Sequence, residues 1–238
     1  MKYIVTTILF TLFFYSNSFA TWSIIIIDTK TNEIGIAGAS CSYNCYGIGG
    51  IVPGKGAIIV QAMSNKDARI KGLQMIASNY SPEQIMEAIR NPSFDPERQQ
   101  YAVLTSQQID NPIVYTGSLT NQYNGSLTAR GISVQGNTLA NPDEINIILD
   151  AALKAQKDGL SIDAILMIAL EAGALAGGDK RCGDQKATSA FITVSKSNDK
   201  QKKPYLNLVI FGQRKGGQNA VSMLRKKYDK WKEKQLSK

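Results

Sequence analysis

Histidine is absent from all 238 residues, and that gap removes more chemistry than any motif adds. No Ser-His-Asp or Cys-His arrangement can be assembled without an imidazole, and every histidine-dependent metal site is excluded. Cysteine is scarce too, with only Cys41, Cys45 and Cys182. Three thiolates are too few for a structural zinc site when no histidine completes the set, so neither a metal nor a cofactor is expected. The odd count allows one disulfide and leaves one thiol. Cys41 or Cys45 can reach Cys182 and pin the second strand to a late loop, or Cys41 and Cys45 can close a tight turn; the long-range bridge is preferred.

Long apolar runs are missing as well. Ile4 to Tyr15, which follows Lys2, falls short of the roughly 20 residues that span a bilayer. With the mostly polar end Ser16 to Ala20 it reads as a secretory signal peptide, and the small residues Ser18 and Ala20 put the cut before Thr21. Residues 21–238 are then a single exported domain, periplasmic or secreted, in a compartment where a disulfide persists. The other apolar stretch, Ile162 to Ala176, contains Asp163 and Glu171 and reads as a buried helix, so no membrane contact is expected after cleavage. Acidic residues are outnumbered 19 to 27 by Lys and Arg, with the excess concentrated in residues 214–238. Only Tyr228 and Trp231 interleave those cations, too few for a base-stacking platform. A solvated basic helix over about 217–235 is expected, with no nucleic-acid partner.

Turn signals and hydrophobic periodicity divide the remaining chain. Trp22 to Asp28 and Glu33 to Ser40 read as a hairpin, and Gly56 to Met63 as a buried strand after the glycine-rich stretch Gly47 to Lys55. Helices are expected over Asn65 to Asn79, from Ser81-Pro82-Glu83 to near Asn91, from Asn141-Pro142-Asp143-Glu144 to Gln156, and from Ser161 to Gly177-Gly178. Strands are expected at Gln100 to Thr105, Ile113 to Gly117, Gly131 to Thr138, Ala187 to Ser195 and Tyr205 to Phe211. Strands and helix pairs segregate rather than alternate. That argues for an α+β fold of two stacked, mainly antiparallel sheets between helix layers.

A hydrolase without histidine needs another base. A free α-amino group has a pKa of about 7.7 to 8.0, so on the order of a tenth of it is unprotonated at pH 7. An N-terminal threonine carries nucleophile and base in one residue, which makes Thr21 the leading catalytic candidate. The plain alternative is that any residue can follow a signal peptide.

Several segments together carry a family resemblance: Thr21-Trp22-Ser23-Ile24, Glu33 to Ala37, Gly56-Ala57 with Gln61-Ala62, Gly131 to Asn137, and Glu171-Ala172-Gly173 followed by Gly177 to Arg181. From Thr21 to about Phe211 the chain resembles the microbial family called domain of unknown function 1028, grouped with the N-terminal-nucleophile (Ntn) hydrolases. The resemblance implies a four-layer αββα sandwich with the Thr21 amine and hydroxyl at the open end of the sheets, and amide-bond chemistry. Gln61, Ala62, Ser64 and Asn65, leaving the third strand, are then the place for oxyanion donors. Gln135 and Asn137 are candidates for orienting a substrate amide. Asp179 and Arg181 complete the substrate-facing set, or else form a buried pair tying the loop to the core.

Two departures stand out. Proteasome-like members keep an acid at the end of the second strand and a lysine at the third; Ala39-Ser40-Cys41 and Gly49-Gly50-Ile51 offer neither. The acidic segment common after the last strand is replaced by Gly212 to Gly217. The implied function is an Ntn-type amidohydrolase acting on a small amide or peptide. The alternative is a binding or assembly protein that keeps the fold without the chemistry, and association into a homo-oligomer stays open.

Overall fold

Threonine, tryptophan and four consecutive isoleucines favour an extended chain, and Thr21–Ile27 is strand β1. In the computed structural model, residues 21–237 are described; the expected signal peptide, residues 1–20, lies outside them. The chain turns through Asn32, whose φ of 58° is left-handed, and returns as β2, Ile34–Ser40. The two strands pair in register from Thr21 opposite Ser40 to Ile27 opposite Ile34. Both are buried along their whole length, so each must have a covered face on either side.

The remaining elements are β3 (Gly49–Val52), β4 (Gly56–Ala62), α1 (Lys66–Ala77), α2 (Pro82–Ile89), β5 (Gln99–Thr105), β6 (Ile113–Thr116), β7 (Gly125–Ala129), β8 (Ile132–Asn137), α3 (Glu144–Lys157), α4 (Ile162–Ala176), β9 (Ser189–Ser195), β10 (Leu206–Ile210) and α5 (Ala220–Leu236). They build a six-stranded sheet in the order β10-β9-β2-β1-β8-β7 and a four-stranded sheet in the order β3-β4-β5-β6. Every pairing between these strands is antiparallel. The fold is α+β with two antiparallel sheets, as the segregated pattern predicts.

Period-2 alternation sorts each strand's side chains. Trp22, Ile24 and Ile26 of β1 pack with Ile148, Leu166, Leu170 and Leu224 of α3, α4 and α5. Ile25 and Ile27 face the other way, onto Ile59, Ala102 and Leu104 of the four-stranded sheet. On that sheet's far side, Ile58, Val60, Tyr101 and Val103 pack with Ile76, Ile85 and Ile89 of α1 and α2.

Two strands carry too little pattern to be expected. β3 lies in the glycine-rich stretch read as a loop, and β7 is largely polar; each is an outer strand of its sheet, stabilised by one neighbour only. The basic helix α5 starts three residues later than expected. Its cations meet the two acids of α4: Arg225 pairs with Glu171 at 2.5 Å and Lys232 with Asp163 at 2.8 Å. Tyr228 donates to the same Asp163 carboxylate at 2.6 Å. Among the described residues no helix is long and apolar enough to cross a membrane.

The disulfide is the long-range one, Cys41–Cys182, joining positions 141 apart in sequence. Cys45 remains a free, buried thiol whose pKa burial pushes up to about 12. It stays protonated at neutral pH and is no nucleophile; Cys41 is held in the bridge.

Candidate functional site

Thr21 opens β1 and lies between the last residues of its two neighbours, opposite Ser40 on β2 and Asn137 on β8. Its position depends on the next residue. Trp22 is fully buried against α4, and its indole Nε1 donates to the Leu170 carbonyl at 3.4 Å. A Cβ at Gly173 would come within 2.5 Å of that Nε1. At Gly178, with φ +68°, a Cβ would lie 3.2 Å from the indole ring. These two glycines leave the room the indole occupies. With Trp22 turned toward the helices, strand alternation directs Thr21 and Ser23 to the space between the sheets.

That space changes character along its length. Away from Thr21 it holds Ile25, Ile27, Ile34, Ile36, Ile59 and Leu104. At the Thr21 end the same in-facing register positions carry Ser23, Gln61, Gln100, Ser133, Gln135 and Asn137, all completely buried. Gln61 Nε2 donates to the Thr21 carbonyl at 3.3 Å and to Gln100 Oε1 at 2.9 Å, while Ser23 Oγ donates to Gln61 Oε1 at 2.6 Å. Gln135 Nε2 donates to Ser23 Oγ at 2.6 Å, and Ser133 Oγ donates to Gln135 Oε1 at 2.7 Å. Asn137 Nδ2 donates to Gln100 Oε1 at 3.0 Å, and Gln100 Nε2 reaches the Gly136 carbonyl at 2.8 Å and Thr116 Oγ1 at 3.1 Å. A satisfied buried network of this kind fixes geometry, because breaking one member strands its partners in a low-dielectric interior.

Gln100 is the hub, accepting from two side chains and bonding both sheets. Replacing it by Ala is expected to destabilise the protein by about 3 kcal/mol or more, since several buried groups lose partners at once. Urea unfolding of Gln100→Ala checks this, and a loss below about 1 kcal/mol would show that the network relaxes freely.

The structure brings Thr21, Gln61, Gln135 and Asn137 together in one wall and Asp179, with its partner Arg181, to the adjoining end of β2; Ala62, Ser64 and Asn65 have separate surroundings. Ala62 ends β4 with a left-handed φ of 66°. Ser64 Oγ donates to the Val60 carbonyl at 2.7 Å. Asn65 caps α1, its Oδ1 accepting from Asp67 and Ala68 N–H, and its Nδ2 donates to the Phe94 carbonyl at 3.2 Å. Asp179 and Arg181 pair at 2.7 Å, with the Asp179 side chain fully buried. Ser23, Gln100 and Ser133 were not expected. The signal that could have found them is a polar residue at alternate positions of a strand otherwise buried throughout.

Asp179 also reaches the end of β2. Its Oδ2 accepts the Cys41 N–H at 2.6 Å, and its backbone forms a bridge with Leu139, two residues beyond β8. Lys180 N–H donates to the Thr138 carbonyl at 3.1 Å. The segment Gly178 to Lys180 is thus held between the continuations of the two strands that flank β1. Left-handed backbone gathers around this end: besides Ala62, Thr138 has φ 52° and Lys186 φ 69°. For a β-branched residue such as Thr138 that conformation is an outlier, and such strain concentrates at functional sites. Glu144, the first residue of α3, is fully buried here, and among the described residues neither of its carboxylate oxygens has a hydrogen-bond partner. Among the described residues no cluster of acids and cysteines suited to a metal ion is present.

Among solved structures, the chain is similar to the crystal structure of a Silicibacter pomeroyi protein labelled DUF1028, at 22% identity, covering 89% of this chain and 88% of that one with a TM-score of 0.74. At that identity the likeness speaks for the fold alone. Among curated proteins none matches. The model of a family of unknown function, DUF1028, matches residues 21–215, from the residue that opens β1 to the loop before α5. That match covers most of the sequence, and the chain belongs to the DUF1028 family.

Proposed function

We propose that the protein is an exported amidohydrolase of the N-terminal-nucleophile type, with the four-layer αββα sandwich of that class, and that removal of residues 1–20 creates its active residue at Thr21. The observation that carries this reading is the place of Thr21: it heads the central strand β1, on the inter-sheet side, against a wall of buried amides. The family match begins at the same residue, and the Cys41–Cys182 disulfide suits an oxidising, extracytoplasmic compartment.

In the proposed reaction the Thr21 hydroxyl attacks the substrate carbonyl while the α-amine accepts its proton. The amine passes that proton to the departing nitrogen, leaving an ester on Thr21 that water hydrolyses to acid and free hydroxyl. The acid missing from the end of β2 in sequence arrives there in space, as Asp179. Because Arg181 pairs with it, the pair adds little net charge beside the amine. The proposed substrate is a small amide or peptide.

A second reading, an inert binding protein on the same fold, is favoured by the saturation of the amide network around Thr21. Two measurements separate them. Intact-mass and N-terminal sequencing of the exported protein are expected to give Thr21 as first residue. A β-lactone electrophile is then expected to acylate the peptide beginning at Thr21. A different start, or no adduct on that peptide, removes the proposed base or nucleophile.

A further inference from the structure

Away from Thr21, a cavity of about 440 Å³ lies between the free edge of β3, the start of α1 and the β9–β10 connection. Its wall includes Ile36, which pairs with Ile25 on β1. That register position is four residues, about 13 Å, along the strand from Thr21. Two cations line the cavity, Arg69 and Lys202, and no carboxylate does.

Arg69 is the informative group. It is partly buried, and burial alone holds its pKa below the ordinary arginine value. Among the described residues its guanidinium has neither an ion-pair partner nor a hydrogen-bond acceptor. A guanidinium partly withdrawn from water, with no protein acceptor on its fork of donors, is stabilised by an anionic partner. The rest of the wall suits an anion with an organic body. Tyr46 accepts a hydrogen bond from Asn207 Nδ2 at 2.9 Å, which leaves its own O–H proton to donate. β3 pairs only with β4, so its outer edge offers unpaired backbone N–H groups. Apolar contact comes from Ile51 and Leu73, and the volume falls in the range of small-molecule sites.

We infer that this cavity binds a small organic oxyanion, a carboxylate or phosphate monoester on a compact apolar body, with the oxyanion on the Arg69 fork and Lys202 beside it. The site is separate from Thr21 and does not depend on the hydrolase reading.

Calorimetric titration of the exported protein with phenyl phosphate and with benzoate tests it. At least one probe is expected to bind, more weakly as salt rises. Arg69→Met is expected to weaken that binding tenfold or more, and Lys202→Gln severalfold. Without ligand, Arg69→Met is expected to unfold at the same temperature as the parent or higher, because it removes an unpaired, half-buried charge; this shows that lost binding is not lost folding. Failure of both probes to bind at millimolar concentration, or equal binding by parent and Arg69→Met, overturns the assignment.

Discussion

Replacing Thr21 by Ala in the processed protein is expected to abolish amide hydrolysis while leaving the fold intact. Removing a hydrolase's nucleophile typically costs about 10⁴- to 10⁶-fold in turnover, because the covalent path is lost and only general binding effects persist. The structural cost is far smaller. Thr21 engages its surroundings mainly through its backbone, by register with Ser40 and Asn137 and by the Gln61 bond to its carbonyl. Neither is touched by the substitution. Loss of one side-chain hydroxyl and methyl costs about 1 kcal/mol, a shift of roughly 2–4 °C in the unfolding midpoint for a domain of this size. Thr21→Ser keeps hydroxyl and amine and is expected to retain turnover. The rate should rise with pH as the base form of the amine accumulates. Undiminished hydrolysis by Thr21→Ala, measured with purity controlled by mass, would sink the mechanism.

Replacing Glu144 by Gln is expected to stabilise the protein above neutral pH. The Glu144 carboxyl is fully buried and unbonded, and burial pushes its pKa up to about 8. The Gly178 N–H, which is bonded to the Gly173 carbonyl at 3.0 Å, is the main opposing group; the charge of Asp179 adds to the rise and Lys186 reduces it. The folded-state value thus lies above the ordinary 4.5. Below pH 4.5 the group is protonated in both states and exacts no penalty. Between 4.5 and about 8 the unfolded chain gives up a proton that the folded chain keeps, so stability falls as pH rises and the loss is complete above about 8. The span from 4.5 to about 8 corresponds to at most about 5 kcal/mol. Glu144→Gln keeps the shape and removes the titration. Urea unfolding from pH 5 to 9 should show a downward slope in the parent that is largely absent in the variant; identical slopes would mean the carboxyl reaches solvent or a partner. At pH 7 a protonated Glu144 also spares the Asp179 end of the sheets a second negative charge.

The unexpected members of the Thr21 wall mark where local reading stops. Gln61, Gln135 and Asn137 stand out because each sits at the polar end of an apolar strand. Gln100 has the same character, but it follows Gln99 in a stretch that looks like the polar approach to a strand, and nothing local says that it faces inward. Ser23 and Ser133 are small hydroxyls whose importance comes only from what they touch: Gln61 on the other sheet for one, Gln135 on the same strand for the other. Asp179 is legible as part of a glycine-rich turn. Its carboxylate meets the Cys41 N–H across 138 positions of sequence, which no spacing rule reaches. Nothing local marks Arg69; its place in the cavity comes from α1 lying beside β3.

Composition and local pattern were enough for the exclusion of histidine chemistry, the segregated order of strands and helices, the hairpin that opens with Thr21 and the buried helix at 162–176. All of these rest on interactions within a few residues of each other or on composition, so they are written locally. Long-range packing was needed for the pairing of β3 with β4 and of β7 with β8, the choice of Cys41 for Cys182, the joining of both sheets through Gln100 and the arrival of Asp179 at the end of β2. Each of those depends on which distant segments share an interior. There the cost of leaving a buried amide, carboxylate or strand edge without a partner selects one arrangement among many that the local pattern permits.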